Sequence, residues 1–468
     1  MSDVVERLRE ALGERVRTDE AARRAHRRDW WVLSELQDLE GRGPALPRAV
    51  VEAASTQDVS RTLVICRELG VPVVPFGGGS GVCGGIRSEA GDVVLALRGL
   101  AGLVDLDDRN LTATFRAGTN GLAAEQEVQR HGLTIGHWPQ SIALASVGGL
   151  VATRSAGQYS TAYGNVEDLI LDLEVVLPAG SILRTRRTPR ASAGPDLRQL
   201  FLGSEGTLGV ITEVTFSLRP LPEASRGQAF HFADLETGVD AIRRVLRDGF
   251  RPPVVRLYDA PESGRNFAGH CPEGRCFLIL LHEGPEELVA AELAGVARRC
   301  GQLGGEPAGS EAVDHWLAHR NRVPGFGVFL EKGIVLDTIE VAATWDRVVP
   351  LYRAAVDSLQ QVEGILNATA HTSHSYRSGT NLYFTFLARP ARREQMEATY
   401  HECWRRVLDA TLGAGGGIAH HHGIGRVRAA RLADEIGTTG VDLLRAVKRA
   451  LDPGDLLNPG TLLPPVAR

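Results

Sequence analysis

The chain reads Pro75-Phe-Gly-Gly-Gly-Ser-Gly-Val-Cys-Gly-Gly-Ile86 at the end of the apolar run 71–76. The apolar run predicts a buried strand, and the glycines after it let backbone N–H groups approach an anion such as a pyrophosphate. The loop lacks the Lys and Ser or Thr that end a P-loop, and it lacks the helix and acidic residue that follow a dinucleotide fingerprint. On its own, the glycine cluster fits either a phosphate-binding loop or a simple turn.

Length and composition limit the classes of protein to consider. The chain has 468 residues, of which 43% are hydrophobic and 23% charged, so we expect a soluble globular protein of two domains, one of them split in sequence. No run approaches the roughly 18–20 consecutive apolar residues of a transmembrane segment. The 52 basic and 57 acidic residues leave a net charge of −5, which argues against a nucleic-acid partner.

The cysteines and the N-terminus bear on metal binding and on location. Among the six cysteines only Cys271 and Cys276 lie close together, and no second pair has the spacing of a zinc site. The first 20 residues are charged throughout and contain no apolar segment typical of a secretion signal. We therefore expect a cytoplasmic protein with free thiols and no bound metal ion.

Residue patterns divide the chain into four segments. We predict an N-terminal helical segment over 1–45 and, over 46–222, an α+β domain in which strands, helices and glycine turns alternate. Longer units of strand, amphipathic helix and strand over 223–419 predict a sheet covered by helices. Residues 420–468 return to glycine-rich loop and helix, with Asp452-Pro453 ending the last helix.

Three further motifs favour a binding loop over a simple turn. They are Pro139-Gln-Ser141 with Ser146-Val-Gly-Gly149 and Thr153-Arg-Ser-Ala-Gly157, then Tyr163-Gly-Asn-Val-Glu-Asp168, and Gly203-Ser-Glu-Gly-Thr-Leu-Gly-Val-Ile-Thr212. Together with the first loop, they resemble the FAD-binding oxidoreductases of the vanillyl-alcohol oxidase and PCMH-type superfamily over nearly the whole chain. The resemblance implies an α+β fold: a two-subdomain PCMH-type FAD-binding domain plus a cap domain with an antiparallel sheet covered by helices.

The same resemblance implies which residues bind FAD. The first loop surrounds the pyrophosphate, the Ser-x4-Ser-x-Gly-Gly segment lies toward the isoalloxazine, and the Glu-Gly-Thr-Leu-Gly-Val-Ile segment holds the adenosine end. The implied residues are Pro75, Phe76, Gly77, Gly78, Gly79, Ser80, Gly81, Gln140, Ser141, Ser146, Gly148, Gly149, Thr153, Arg154, Ser155, Ala156, Glu205, Gly206, Thr207, Leu208, Gly209, Val210 and Ile211. Some relatives attach the flavin through a histidine of the first loop. This loop has none, so we expect non-covalent FAD.

The second half contains Gly417-Ile-Ala-His420-His421-His422-Gly-Ile-Gly425, whose His-Gly-Ile-Gly turn resembles D-lactate, glycolate and 2-hydroxyglutarate dehydrogenases. In metal-dependent members of that group, a Glu before this His and a His in a Gly-Asp-Gly-Asn-Leu-His stretch bind a divalent metal. Here His421 and Tyr383 stand at those two positions. The resemblance therefore implies that two ligands of that metal site are missing.

The run of three histidines is similar instead to the alkyldihydroxyacetonephosphate synthase family of ether-lipid flavoenzymes. The similarity extends to Val255-Arg-Leu-Tyr-Asp259, Asp337-Thr-Ile-Glu340 and His374-Ser-Tyr-Arg-Ser-Gly379. It implies exchange of the acyl group of an acyl-dihydroxyacetone-phosphate-like substrate for a fatty alcohol, through an adduct at flavin N5. The implied catalytic residues are Tyr376, as acid and base on the substrate carbon, with His420, His421, His422 and Arg256.

The residue types add two expectations of their own. A phenol with an unperturbed pKa near ~10 deprotonates a carbon only if nearby charge favours phenolate, and imidazolium or Arg256 would supply that charge. Side chains of an extended chain alternate between two faces. His420 and His422 would therefore share a face, with His421 pointing elsewhere unless the chain bends at Gly423.

Two departures from the synthase pattern affect the substrate. Gln140 stands where the synthase has an aspartate, and residues 323–332 contain no phosphate-binding arginine, so we assign substrate binding to Arg320 or Arg322. An alternative function is a FAD-linked dehydrogenase or oxidase of a D-2-hydroxy acid or another alcohol, with Tyr376 and His422 accepting the proton. A small or lipid-like substrate fits both functions. A homodimer and peripheral membrane contact stay open.

Overall fold

The computed structural model describes residues 3–323 and 325–463. Met1, Ser2, Pro324 and residues 464–468, which belong to the predicted terminal segments and the cap, lie outside the described residues.

Strands and helices follow one another along the whole chain. The strands are β1 (Val16–Arg17), β2 (Ala49–Glu52), β3 (Val73–Phe76), β4 (Val93–Ala96), β5 (Leu103–Asp107), β6 (Thr112–Arg116), β7 (Leu133–Thr134), β8 (Ile170–Val176), β9 (Ile182–Arg184), β10 (Val210–Ser217), β11 (Arg219–Pro220), β12 (Ala224–Phe232), β13 (Val254–Tyr258), β14 (Cys276–Gly284), β15 (Glu306–Ala308), β16 (Val335–Thr344), β17 (Ile365–Thr372) and β18 (Gly379–Ala388). The helices are α1 (Val4–Leu12), α2 (Glu20–Ala25), α3 (Val32–Leu39), α4 (Thr56–Glu68), α5 (Gly121–Gln129), α6 (Val147–Ala152), α7 (Ser160–Tyr163), α8 (Val166–Leu169), α9 (Arg198–Phe201), α10 (Leu235–Arg247), α11 (Ala260–Asn266), α12 (Glu286–Gln302), α13 (Glu311–His319), α14 (Gly327–Glu331), α15 (Trp345–Gln360), α16 (Met396–Gly413) and α17 (Leu432–Leu451).

Two main sheets form the region predicted to bind FAD. In the first sheet, β2, β4 and β3 are parallel, and β1 adds an antiparallel edge strand. Helix α4 begins at a capping box of Ser55 and Asp58 and buries an apolar face. The second sheet is antiparallel, in the order β5-β6-β10-β8-β9. The apolar run 71–76 contains β3, so the glycine loop leaves the first sheet at the carboxyl end of that strand.

The cap is a seven-stranded antiparallel sheet in the order β15-β12-β14-β13-β17-β18-β16. Helices α15 and α16 cover one end of one face, and α10 and α12 cover the other end. Along β18, Leu382, Phe384 and Phe386 are buried in the core under the helices. Because side chains alternate along a strand, Tyr383 and Thr385 project from the opposite face. The predicted α+β class with an antiparallel sheet covered by helices is confirmed.

The two ends of the chain connect the sheets. Helix α1 packs on α4, whereas α3 buries Val32, Leu33 and Leu36 in the core of the cap. At the other end, α17 ends at Leu451, as the Asp452-Pro453 pair predicts, and Val73 N donates to Leu456 O beside β3. The segment around Leu456 therefore lies against the first sheet. None of the helices in the described ranges is long and apolar enough to cross a membrane.

Candidate active site

A large cavity lies between the glycine loop and the face of the cap sheet that carries Tyr383. We call it the main cavity; its volume is about 1350 Å³. Sites for a single small ligand are usually about 300–1,000 Å³. The main cavity is therefore large enough for a dinucleotide together with a second molecule.

The glycine loop forms one wall of the main cavity through its backbone. Gly79 has φ +72°, a backbone conformation that residues with a Cβ rarely adopt. A Cβ on Gly78 would lie 2.9 Å from both Ser146 N and Ala145 Cα, so a side chain there would force this wall apart. Arg98 Nη2 donates to Gly78 O at 2.8 Å. The loop thus presents close-packed backbone, which suits a pyrophosphate held without a cationic side chain.

The predicted FAD residues converge on the main cavity with four exceptions. Phe76, Arg154, Thr207 and Leu208 are absent from its lining among the described residues. Phe76 packs against the His26 ring, Leu208 is buried in the core of the second sheet, and Thr207 Oγ1 donates to Ser204 O at 2.7 Å. Arg154, with φ +52°, turns outward and pairs with Glu167 at 3.3 Å. These four side chains point away from the main cavity, and the assignment of their residues to FAD binding stays a prediction.

Glu205 joins the FAD loops to the His-Gly-Ile-Gly turn. Its Oε1 accepts the N–H of Ile424 at 2.8 Å, and its Oε2 accepts the N–H of Gly425 at 2.9 Å. Burial raises the pKa of Glu205 to about 7, although these two N–H groups and Arg428 act in the opposite direction. The carboxyl group therefore titrates near neutral pH.

We expect Glu205→Gln to remove one part of the pH dependence of stability. The folded protein holds the Glu205 proton more tightly than the unfolded chain. The contribution of this proton to the free energy of unfolding is therefore fully present below about pH 4.5 and is lost as the pH rises through about 7. Glutamine does not ionise, and its single oxygen in the place of Oε1 still reaches both donors, since that atom lies 2.8 Å from Ile424 N and 3.1 Å from Gly425 N. In denaturant titrations from pH 4 to 8, the variant should become more stable than wild type by roughly 3 kcal/mol above pH 7. Asp29, whose pKa burial also raises to about 7, affects both proteins equally. Parallel curves would contradict the raised pKa of Glu205.

The cap wall of the main cavity centres on Tyr383. Its Oη donates to Thr338 Oγ1 at 3.0 Å, and its ring stacks on His371 at 4.9 Å and on His421 at 5.9 Å between centroids. Burial raises the pKa of Tyr383 well above its ordinary value, so the phenol keeps its proton. His371 accepts from Arg256 Nη2 at 2.8 Å, and its Nδ1 contacts Glu262 Oε1 at 3.0 Å. The wall thus places a protonated phenol between imidazoles.

Glu340 gives the three histidines their backbone shape. Its Oε1 accepts the backbone N–H groups of His420, His421 and His422 at 3.2, 3.1 and 2.8 Å. Its Oε2 pairs closely with Arg428, and both side chains are fully buried. Burial alone would raise the pKa of Glu340, but Arg428, His422 and the backbone N–H groups hold it below its ordinary value. A charged carboxylate therefore anchors the histidine run.

The histidines do not alternate as the sequence predicted. His421 and His422 line the main cavity, whereas His420 lies behind them. The reason is that three successive N–H groups converge on one carboxylate, which makes a turn before Gly423 is reached. Burial lowers the pKa of His420 to about 4 and that of His421 well below its ordinary value, with mutual repulsion of the ring charges adding to this effect for His421. The imidazoles are therefore neutral at physiological pH.

Tyr376 lies outside the main cavity, contrary to the sequence prediction. It lines a smaller cavity of about 320 Å³, here called the side pocket, together with Ser160, Thr161, Arg251 and Arg377. Its Oη contacts Asn165 Nδ2 at 2.9 Å and His420 Nε2 at 2.8 Å. Burial raises the pKa of Tyr376 to about 12.

Arg256 does not activate Tyr376, because its guanidinium donates to Tyr258 and His371. Both sources of charge invoked for a phenolate are thus missing: the histidines are neutral, and the arginine has other partners. The condition for a phenolate at Tyr376 is therefore not met, and its role as acid and base stays a prediction.

The predicted substrate arginines are both at the main cavity. Arg320 lies over the rings of Trp138, Tyr159 and Trp316, at 4.8, 4.9 and 5.8 Å from their centroids, and also donates to Tyr159 Oη. Arg322 lines the cavity too, and its backbone O accepts from Gln140 Nε2 at 2.6 Å. The glutamine that replaces an aspartate therefore connects the FAD loops to the cap.

The donor set of the main cavity fits FAD. Backbone of the glycine loop and of the 141–149 segment forms one wall of the cavity. On the same lining, the buried Asn458 Oδ1 and Gln158 Oε1 have no hydrogen-bond partner among the described residues. A bound dinucleotide would supply partners for such groups. Cys83 is buried, and its Sγ accepts from Arg428 Nη1 at 3.0 Å. Non-covalent attachment stays a prediction.

The histidine cluster also has the composition of a metal site. His374, His420 and His421 each place one ring nitrogen within 4.8 Å of the others. His374 Nδ1 shares a hydrogen bond with Ser160 Oγ, and the Nδ1 atoms of His420 and His421 are 2.8 Å apart, which is also the length of a hydrogen bond. The expectation of no metal ion stays a prediction.

Sequence reasoning missed Tyr383, His371 and Glu340 as members of the site. A usable signal was present for Tyr383, because it alternates with the apolar residues of β18 and must face away from them. His371 pairs with Tyr383 in register across β17 and β18, and Glu340 pairs with it across β16 and β18. That register is not visible in the sequence.

Comparisons with known proteins agree with this geometry. A family profile described as "FAD binding domain" matches residues 47–186, and one described as "FAD linked oxidases, C-terminal domain" matches residues 221–462. The uncharacterized FAD-linked oxidoreductase YgcU of Escherichia coli K12 is 32% identical over 98% of both chains. The alkyldihydroxyacetonephosphate synthase of Trypanosoma brucei brucei is 29% identical over 98% of this chain and 80% of its own.

Structural similarity extends over the same length. A crystal structure of an alkyldihydroxyacetonephosphate synthase matches with a TM-score of 0.82 and 24% identity, covering 98% of this chain and 85% of that one. At this identity the match establishes the fold, including the two-subdomain PCMH-type FAD-binding arrangement. The chain belongs to the FAD-linked oxidase family of PCMH-type flavoenzymes, and its cofactor is FAD.

Proposed function

We propose that this flavoenzyme exchanges the acyl group of an acyl-dihydroxyacetone-phosphate-like substrate for a fatty alcohol, as the named alkyldihydroxyacetonephosphate synthases do. The observation that carries the proposal is Tyr383 on the cap wall, a protonated phenol between His371 and His421. Tyr383 and His421 occupy the two positions where hydroxy-acid dehydrogenases of the resembling group hold a metal. The Tyr383 hydroxyl, which donates a hydrogen bond to Thr338, and the neutral imidazoles beside it suit proton transfer to an organic substrate.

Each group on the cap wall has a role in this proposal. FAD, when bound, supplies the reactive ring against which the substrate carbon is placed. Tyr383 holds a proton at Oη and serves as the acid and base for that carbon. Neutral His421 and His422 accept or return protons of the entering alcohol and the leaving acid. Arg256 keeps His371 oriented, because it occupies the Nε2 atom of that ring.

The mouth of the main cavity suits an anionic, lipid-like substrate. Arg320 and Arg322 provide positive charge on the lining, and guanidinium groups bind phosphate well. Trp30 and Val323 on the same lining are exposed, at 44% and 37% of their surfaces, and Phe326 also belongs to the lining. A cavity that offers both positive charge and exposed apolar surface suits a phosphate with an acyl chain.

Anaerobic mixing of the holoenzyme with two substrate classes tests the proposal. With an acyl-dihydroxyacetone phosphate and a labelled fatty alcohol, we expect release of the fatty acid and incorporation of the label without net reduction of the flavin. With D-lactate or D-2-hydroxyglutarate, we expect the flavin absorption band to persist. Stoichiometric bleaching by a D-2-hydroxy acid, with release of the keto acid, would establish the dehydrogenase alternative and exclude the synthase proposal.

A further inference from the structure

Three side chains connect the main cavity to the side pocket in an unbroken row. His421 lines the main cavity, and its Nδ1 lies 2.8 Å from Nδ1 of His420. The other ring nitrogen of His420, Nε2, lies 2.8 Å from Tyr376 Oη. Tyr376 lines the side pocket, whose rim includes the exposed Arg251 and Arg377. Each contact has the length of a hydrogen bond.

We propose that His421, His420 and Tyr376 form a proton relay between the main cavity and solvent in the side pocket. The relay rests on the proposed function, because it serves the protons that the cap wall takes up and releases. It assigns to Tyr376 and His420 a role that needs no contact with the substrate. This role fits their position behind the lining of the main cavity.

Proton transfer along the row balances at every atom. In one orientation Tyr376 Oη donates to His420 Nε2, His420 Nδ1–H donates to His421 Nδ1, and His421 keeps a proton on Nε2. When His421 gives that proton to a group in the main cavity, it takes the proton of His420, which takes the proton of Tyr376. Tyr376 is then reprotonated by hydronium or a buffer acid in the side pocket. The reverse sequence carries a proton out.

The surroundings favour transfer without a lasting charge on any member. An imidazolium would meet burial and like charge, because His420 faces His422 and His421 faces His374, His422 and Arg428. Glu340 favours the charged form of His420 but does not outweigh the burial of that ring. Glu167 and Asp168 lie near Tyr376 and oppose a phenolate there. Asn165 Nδ2 donates to Tyr376 Oη, which fixes the phenol in the row. Neutral members that only pass protons satisfy all of these conditions.

Tyr376→Phe tests the relay, because it keeps the ring and removes the hydroxyl. In the holoenzyme labelled with ¹⁵N-histidine, we expect exchange of the His420 ring N–H with water to slow by roughly tenfold or more. Turnover should fall by a similar factor at low buffer concentration and recover as imidazole buffer is added. The FAD content should stay unchanged. General acid–base groups typically contribute about 100-fold or more to the rate, and we expect a relay member to contribute less. Tyr163→Phe is the matched control, since Tyr163 also lines the side pocket but donates to Glu283 at 2.9 Å, outside the row.

Two results would overturn the relay. One is unchanged ring N–H exchange and unchanged turnover in Tyr376→Phe. The other is one tightly bound transition metal per chain in the purified holoenzyme, lost from variants of His374, because the ring nitrogens would then be ligands. The exchange measurement needs no substrate. If neither substrate class reacts, the proposed function fails, and the exchange rates still decide on the relay.

Discussion

Tyr383→Phe is expected to lower turnover by at least about 100-fold while leaving FAD bound. The variant removes only the hydroxyl that Tyr383 donates to Thr338, so the stacking on His371 and His421 remains. Among the described residues, Tyr258 is the other tyrosine on this lining and accepts from Arg256, and Tyr376 lies in the side pocket. Single-turnover assays with the substrate that reacts in anaerobic mixing measure the effect, and the flavin absorption spectrum measures cofactor content.

Thr338→Val provides the matched control for Tyr383→Phe. It removes the acceptor of the Tyr383 hydroxyl but leaves the phenol itself in place. We expect a fall in turnover of less than about tenfold, because the phenol would be less well oriented but still able to transfer a proton. Turnover of Tyr383→Phe within a few-fold of wild type would refute the assignment of Tyr383 as the acid and base.

Glu340→Ala is expected to destabilise the protein by about 3–5 kcal/mol. The substitution leaves Arg428 as a buried charge without its carboxylate and deprives three backbone N–H groups of His420, His421 and His422 of their acceptor. Removing one member of a buried ion pair is costly because the remaining charge cannot return to water. Urea denaturation of the holoenzyme, followed by circular dichroism, measures the change.

Two further variants separate charge from hydrogen bonding at Glu340. Glu340→Gln keeps an oxygen for the three N–H groups but not the charge opposite Arg428, so it should recover only part of the lost stability. Glu236→Ala removes a carboxylate whose partner, Arg353, is largely exposed, and it should leave the denaturation midpoint unchanged. A loss below about 1 kcal/mol in Glu340→Ala would mean that the pair is not essential to the fold.

The fold was largely predictable because its signals are local. The apolar run of β3 and the end of α17 before Pro453 each occur where the residue pattern placed them. Hydrophobic period and turn chemistry act within one element and do not depend on the rest of the chain. The FAD loops were predicted through their resemblance to a known family, because their glycines alone fit either a binding loop or a simple turn.

The cap wall of the main cavity was less predictable because it depends on register between distant strands. Both tyrosines, Tyr376 and Tyr383, lie in one segment of sequence, and the motif match alone favoured the wrong one for the main cavity. The pairing of β18 with β16 and β17 sets Tyr383 beside His371 and Glu340. Tyr376 lies before β18 begins, so that strand pairing does not place its side chain, which lines the side pocket instead.

The sequence by itself determined the α+β class through local hydrophobic period, and its motifs indicated the cofactor loops and the histidine run through their resemblance to a known family. Only the tertiary structure decided which phenol meets the main cavity and which histidines line it. It did so through Glu340, a buried carboxylate 80 residues before the first of the histidines it holds. A contact between residues so far apart in sequence follows from the packing of the cap sheet, which no local pattern encodes.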